Sequence, residues 1–156
     1  MALVNWKNLA RRFAVEPRWL AWDRLCVRIT GWSFVNRAFE EAAGMSSRPA
    51  LLLTTRHHVN GRERTVVLPY YVDADRFVVV GSHGGRPTDA IWALNLRAHP
   101  DVRIRANHRW RDVRCHEAKG EERDGLWRRI TADGAYLHYE KTAAPRIIPL
   151  MVFTPR

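Results

Sequence analysis

The run Phe77-Val78-Val79-Val80 constrains the fold of this chain more than any other segment. Four apolar, mostly β-branched residues in succession suit a strand covered on both faces; a strand with one wet face would alternate. Asp73-Ala74-Asp75 turns the chain into the run, and Gly81 with the pair Gly84-Gly85 breaks it. A strand of this kind belongs in a closed or split barrel jacketed by helices.

The rest of the chain after Gly44 fits that architecture. Further strands are expected at 50–55, 64–71, 102–106, 110–118 and 147–154, with the covered strand at 76–81. Residues 56–63, containing Asn60-Gly61, form a hairpin loop, and Asn107-His108 joins a second pair. Thr88 or Asp89 is positioned to cap a helix through Arg97, stopped by Pro100. A helix at about 121–131 carries acidic residues in its first turn, and a short helical piece spans about 136–142. The strands do not alternate with long helices, which disfavours a doubly wound parallel sheet. The expected class is mainly β or α+β: a split barrel of about six strands with inserted helices and N-terminal helices.

Residues 1–43 differ in character. Trp6, Phe13, Trp19, Trp22, Trp32, Phe34 and Phe39 are interleaved with Arg11, Arg12, Arg18, Arg24, Arg28 and Arg37. Trp19, Trp22, Cys26 and Ile29 share one helical face, and Pro17 suits a helix start. This segment either caps the 44–156 barrel domain or touches a membrane surface, where Trp and Arg suit the headgroup layer.

Charge and composition narrow the partners. The formal charge is +10, carried by 23 Arg and only 3 Lys. Arg grips phosphate and carboxylate bidentately, so an anionic ligand is implied, although Arg-rich codon usage accounts for the excess equally well. No apolar stretch exceeds seven residues, whereas a membrane-spanning helix needs about 20. No secretory pattern opens the chain, so a cytoplasmic protein is expected, with contact at the inner membrane face left open. Cys26 and Cys115 have no metal-ligand spacing, and neither a disulfide framework nor a metal site is expected.

Three segments carry candidate chemistry. The loop Arg56-His57-His58-Val59-Asn60-Gly61-Arg62-Glu63-Arg64 puts three guanidinium groups and two imidazoles within nine residues. Such a cluster clamps anionic oxygens by charge-assisted hydrogen bonds, or is simply a solvated hairpin tip. Ser82-His83-Gly84-Gly85, ahead of a helix, reads as a backbone cradle for an anion or ring edge, or as a tight turn. Tyr136 and Tyr139 are proton donors facing a pocket, or core residues with wet tips.

In order, Leu51-Leu52-Leu53-Thr54-Thr55, Gly61-x-x-Arg64-Thr65-Val66, Phe77-Val78-Val79-Val80-Gly81-Ser82-x-Gly84-Gly85, Trp92-x-x-Asn95-Leu96, Tyr136-x-x-Tyr139 and Arg146-x-Ile148-Pro149 resemble the deazaflavin-dependent nitroreductase family, relatives of split-barrel flavin-binding proteins. The likeness spans about residues 50–154. It implies a split barrel binding coenzyme F420, with FMN a lesser alternative. It also implies hydride transfer to a quinone, nitro compound or activated double bond. By position, Thr55, Arg56, His57, His58, Asn60, Gly61, Arg62 and Arg64 would hold the cofactor phosphate. Ser82, His83, Gly84, Gly85, Trp92 and Asn95 would line its groove, and Ser82, Tyr136 and Tyr139 would serve the acceptor as catalytic residues. Val59 stands where many relatives carry lysine. A non-catalytic cofactor-binding homologue remains the alternative reading. Nucleic acid is not an expected partner, since most aromatics fit buried helix faces rather than stacking surfaces. Split barrels of this kind often form homodimers, and that assembly stays open.

Overall fold

A computed structural model describes residues 17–42 and 44–156. Expectations placed on 1–16, among them Trp6, Arg11, Arg12 and Phe13, and on the side chain of Phe39, lie outside the described residues.

The elements run α1 (Pro17–Thr30), α2 (Phe34–Ala42), β1 (Ala50–Arg56), β2 (Glu63–Pro69), β3 (Tyr71–Asp73), β4 (Arg76–Val80), a 3₁₀ turn (His83–Gly85), α3 (Ile91–Ala98), β5 (Asp101–Ala106), β6 (Arg109–Glu117), α4 (Gly120–Ile130), α5 (Leu137–Ala143) and β7 (Leu150–Pro155). The strands form one sheet in the order β2-β1-β5-β6-β7-β4-β3, with every neighbouring pair antiparallel.

The sheet has seven strands rather than the expected six, because the segment expected as one strand at 64–71 is divided. Pro69 has no N–H to continue the ladder, and the amide of Tyr70 donates to Pro49 O at 3.2 Å. Up to Pro69 the ribbon pairs with β1, and from Tyr71 it pairs with β4. The two outer strands of the sheet are therefore consecutive pieces of one ribbon, and the sheet curls into a half-barrel. Its interior is filled from both ends of the strand order by Leu51, Leu53, Phe77, Ile104, Met151 and Phe153. On the other face of β4 and β7, Val78, Val80, Leu150 and Val152 pack against Leu126 and Ile130 of α4. The apolar run at 77–80 is thus covered on both faces, as its sequence required.

Two further boundaries differ from the sequence reading. The last strand starts at Leu150, because Ile147 points to solvent and Pro149 O is spent on the amide of Gly81 at 2.8 Å. Helix α3 starts at Ile91 behind Ala90, with no side-chain cap. Asp89 cannot cap it, since Arg97 and Arg146 draw its carboxylate away at 2.6 and 2.8 Å.

Helix α1 runs to Thr30 and is closed by Gly31, whose φ is 76° and whose amide donates to Val27 O at 2.9 Å. Ser33 caps α2 by accepting from Asn36 N at 2.9 Å, and its hydroxyl donates to buried Asp23 at 2.7 Å. Helix α1 packs on the barrel through Val27, against Ala50, Leu52 and Val67. The face bearing Trp22 (63% exposed) and Ile29 (66%) is not the packed one. Apolar periodicity located a face correctly but not what covers it.

Candidate active site

Asn95 organises the first part of the site. It sits on the inner side of α3, 2% exposed. Its carbonyl oxygen accepts the backbone N–H of His58 at 2.9 Å and meets His58 Nδ1 at 2.9 Å; its amide donates to Thr55 Oγ1 at 3.0 Å. A backbone amide can only donate, so the Asn95 orientation is fixed, and His58 Nδ1 must carry the hydrogen. The basic hairpin is thereby tied to the helix that follows the diglycine turn.

Within the hairpin, the backbone amides are largely consumed internally. His57 N donates to Arg62 O at 2.9 Å, Gly61 N to His57 O at 2.8 Å, Val59 N to His57 Nδ1 at 3.2 Å and Arg62 N to Asn60 Oδ1 at 3.1 Å. The rings of His57 and His58 stack at 4.9 Å. Charge offered to a ligand must therefore come from side chains. Arg62 and Arg64 are exposed and pair with no carboxylate among the described residues; Arg56 meets Glu63 only at 3.7 Å.

The diglycine turn is a different kind of surface. Ser82 is right-handed (φ −62°, ψ −32°), and His83, Gly84 and Gly85 follow with φ of 50°, 63° and 74°. A right-handed residue followed by a left-handed one directs successive N–H groups into a concavity that suits an anion or a ring carbonyl. Space beside Gly84 is open, so a ligand can lie against the backbone there. Gly85 is closed in: a Cβ would stand 2.0 Å from Thr142 Oγ1 and 3.3 Å from the Tyr139 ring. Arg146 pins this turn. Its guanidinium donates to Gly81 O at 3.2 Å, Ser82 O at 2.8 Å and Arg86 O at 3.0 Å, and pairs with Asp89 at 2.8 Å. These features fit a flat, anionic cofactor approaching the turn while its charged end meets the hairpin arginines.

The tyrosines form a row. Ring centroids are 6.4 Å apart for Tyr71 and Tyr136, and 6.2 Å for Tyr136 and Tyr139. Tyr136 precedes α5 rather than lying on it, in the left-handed region at φ 63°. Burial pushes its phenol up to about 12. Burial likewise raises Tyr71, aided by Tyr136 and opposed by the Arg48 guanidinium 4.4 Å above its ring. Tyr139 is half-buried and touches the diglycine turn.

Other sequence candidates fall elsewhere. Trp92 packs against the barrel interior, so it steadies α3. A groove of about 740 Å³ includes Thr55, Arg56, Arg103, Trp110 and Arg156, but not Ser82, His83, Gly84, Gly85, Tyr136 or Tyr139. The sequence reading missed Asp89, Thr142, Tyr71 and Arg48 and gave Arg146 no role. Only Arg146 carried a signal, as a member of a terminal motif. No group of His, Cys, Asp and Glu suited to a metal occurs among the described residues.

The family model described as F420H(2)-dependent quinone reductase matches residues 27–155. An F420H(2)-dependent quinone reductase of Mycobacterium tuberculosis is 33% identical over 112 residues, covering 69% of this chain and 74% of that protein. A solved F420-H2 dependent reductase superposes with a TM-score of 0.60 at 30% identity, over 68% of this chain and 94% of its own. A second solved chain, described as a domain-swapped dimer, matches with a TM-score of 0.60 at 28% identity, over 76% and 92%. The likeness read from six ordered motifs is borne out in family and in fold. A chain with this half-barrel, matched along most of its length, belongs to the F420H(2)-dependent quinone reductase family.

Proposed function

We propose that the protein is an oxidoreductase that uses reduced coenzyme F420 to reduce a quinone. The observation that carries this reading is the coupling of two anion-seeking surfaces: the arginine hairpin, docked by Asn95 onto α3, and the concave Ser82–Gly84 backbone that leads into the same helix. Arg62 and Arg64 meet the cofactor phosphate; Arg56 joins them by exchanging its long, exposed pair with Glu63, which is worth little in water. The His83 and Gly84 backbone receives the edge of the ring system. Tyr139, beside Gly85, faces the acceptor, with Ser82 at the rim and Tyr136 behind. When bound, the reduced deazaflavin supplies the hydride; this chain supplies orientation and a proton donor.

The test is direct. Purified protein is titrated with F420, FMN and NADPH, following fluorescence quenching. Reduced F420 is then mixed anaerobically with a soluble naphthoquinone, and the return of oxidised F420 absorbance is recorded. Saturable F420 binding and quinone-dependent oxidation are expected. Saturable binding of FMN alone would overturn the reading in favour of a flavin enzyme on the same fold.

Two finer parts belong to the same proposal. The exposed face of α1 and the start of α2, with Trp22, Ile29 and Phe34 (69% exposed) among Arg18, Arg24 and Arg28, is a contact for an anionic membrane surface, where long-tailed quinones reside. No helix among the described residues is long and apolar enough to cross a membrane. The protein also forms a homodimer, a reading supported by the domain-swapped relative and checked by light scattering.

A further inference from the structure

Arg48 lies in the connection between α2 and β1, far in sequence from both the diglycine turn and α5. Its side chain is only 12% exposed, and arginine is rarely buried unless every part of it is used. Here each part has a partner. The backbone N–H donates to the Glu40 carboxylate at 3.1 Å, which fixes where the residue stands. Nη1 donates to Ser46 O at 2.8 Å, and Nη2 to the Asp133 carboxylate at 3.1 Å. The centre of the guanidinium lies 4.4 Å over the Tyr71 ring. A planar fork can bond oxygens at its edges and still offer its face to a ring; an ammonium cannot do both.

The two outer partners lead to two of the phenols. Tyr71, on β3, is held by its ring. Asp133 acts on Tyr136 through the backbone: its second oxygen accepts Ala135 N at 3.1 Å, and the Gly134 amide donates to Thr131 O at 2.9 Å. The Ala135 amide chiefly, with the Arg48 charge behind it, holds the Asp133 carboxyl below its ordinary value of 3.8. The next residue is Tyr136, left-handed at φ 63° and ψ −8°. A residue with a Cβ keeps that conformation only where its surroundings over-determine it. The ring centroids of Tyr71 and Tyr136 are 6.4 Å apart, and those of Tyr136 and Tyr139 6.2 Å. A Cβ on Gly85 would stand 3.3 Å from the Tyr139 ring. One guanidinium thus fastens β3 to the start of α5, where the phenol row meets the diglycine turn.

We propose that Arg48 is a positioning residue for the acceptor, which with Asp133 sets the spacing of Tyr71 and Tyr136 and so the wall against which the quinone is held. This rests on the quinone reductase reading above. Arg48 acts through Tyr71 and Asp133 and does not itself touch the quinone. A misplacement of about 1 Å among the groups that hold a substrate can cost about a hundredfold in rate, so a pin of this kind is worth keeping. The cofactor contacts assigned to the arginine hairpin and to the Ser82–Gly84 backbone lie on other segments, and they do not depend on it.

The test compares wild type with Arg48→Lys, Asp133→Asn and the double variant. Arg48→Lys keeps the charge and loses the fork. Asp133→Asn is the milder change, since its carbonyl can still accept from Ala135 N while the ion pair is gone. The protein has four tyrosines, so the ring resonances of an isotope-labelled, cofactor-free sample can be assigned with single Tyr→Phe variants. The Tyr71 and Tyr136 rings are expected to shift in both single variants, and the Tyr70 ring to stay. The ratio kcat/KM for a soluble naphthoquinone should fall by about tenfold in each, with Kd for F420 within about twofold of wild type. The double variant should lose no more than the larger single loss, because both substitutions break one link. Unshifted rings, or an unchanged kcat/KM beside shifted rings, overturn the positioning role alone. A loss of F420 affinity as large as the loss in kcat/KM does so too, since it marks a general loosening of the fold. A wild-type protein that binds F420 yet never reduces a quinone overturns the functional reading and this role with it.

Discussion

The side-chain carbonyl of Asn95 accepts the backbone N–H of His58 at 2.9 Å, across 37 residues of sequence, in a position only 2% exposed. Replacing Asn95 by Ala leaves that amide and the Thr55 hydroxyl without their buried partner. We expect a loss of about 2–3 kcal/mol in stability by urea unfolding. Cofactor affinity should fall by about tenfold or more, because the arginine hairpin is released from the helix.

Gly85 and Thr142 are complementary in shape. Gly85→Ala brings a Cβ to 2.0 Å from Thr142 Oγ1 at a residue whose φ is 74°. A cost of about 2–3 kcal/mol is expected. In the double variant with Thr142→Ala the 2.0 Å collision disappears; tight contacts with the Cβ of residue 142 at 3.2 Å and the Tyr139 ring at 3.3 Å remain beside a backbone penalty of about 1 kcal/mol. Thermal unfolding of the four proteins in the cycle measures the difference; strictly additive effects would show that the two residues are not in contact.

Arg146 holds three carbonyls and Asp89 with one planar fork. Lysine has the charge but not the geometry. Arg146→Lys should therefore keep the fold with a loss of about 1–2 kcal/mol, yet weaken F420 binding by about tenfold as the Ser82–Gly84 backbone relaxes. Equilibrium fluorescence titration checks this against wild type.

Asp73 accepts from Arg76 and from Arg129, and the Arg76 bond chiefly holds its carboxyl below the ordinary value of 3.8. A carboxyl lowered on folding stabilises the protein above its unfolded pKa, and that contribution is lost as pH falls through the folded value. Asp73→Asn should be less stable than wild type by about 1–2 kcal/mol at pH 7. The gap should close progressively below about pH 4, as unfolding curves at successive pH values would record.

Trp22 and Ile29 on α1 are 63% and 66% exposed, so changing them should spare the fold. Trp22→Ser with Ile29→Ser is expected to alter stability by less than about 0.5 kcal/mol. Co-sedimentation with vesicles rich in phosphatidylglycerol should fall sharply, while the reduction of a water-soluble quinone stays as in wild type. Equal sedimentation of both proteins would remove the membrane contact.

What could be read from the sequence was what local chemistry dictates. Phe77–Val80 announced a strand covered on both faces, and Gly31 closes α1 as such a residue should. The division of the second strand was hidden, because it depends on Tyr70 finding Pro49 O across space. Asp89 looked like a helix cap, since its competitor Arg146 is 57 residues away. Tyr136 and Tyr139 were legible as a pair by spacing, but the left-handed backbone of Tyr136 and the third phenol, Tyr71, were not. Among the loop residues, sequence gave the charge of Arg56, Arg62 and Arg64. It could not show that Asn60 and His57 spend their polar atoms on the loop itself.

The ribbon from Glu63 to Asp73 has one end in the arginine hairpin and the other at Tyr71. Its length is thus a spacer between the anion-binding end of the molecule and the phenol row. One residue gained or lost within it would displace one end relative to the other by about 3.3 Å and turn every following side chain to the opposite face. Chains that keep both functions are accordingly expected to vary freely in what this ribbon is made of on its outer face, and hardly at all in how many residues it contains.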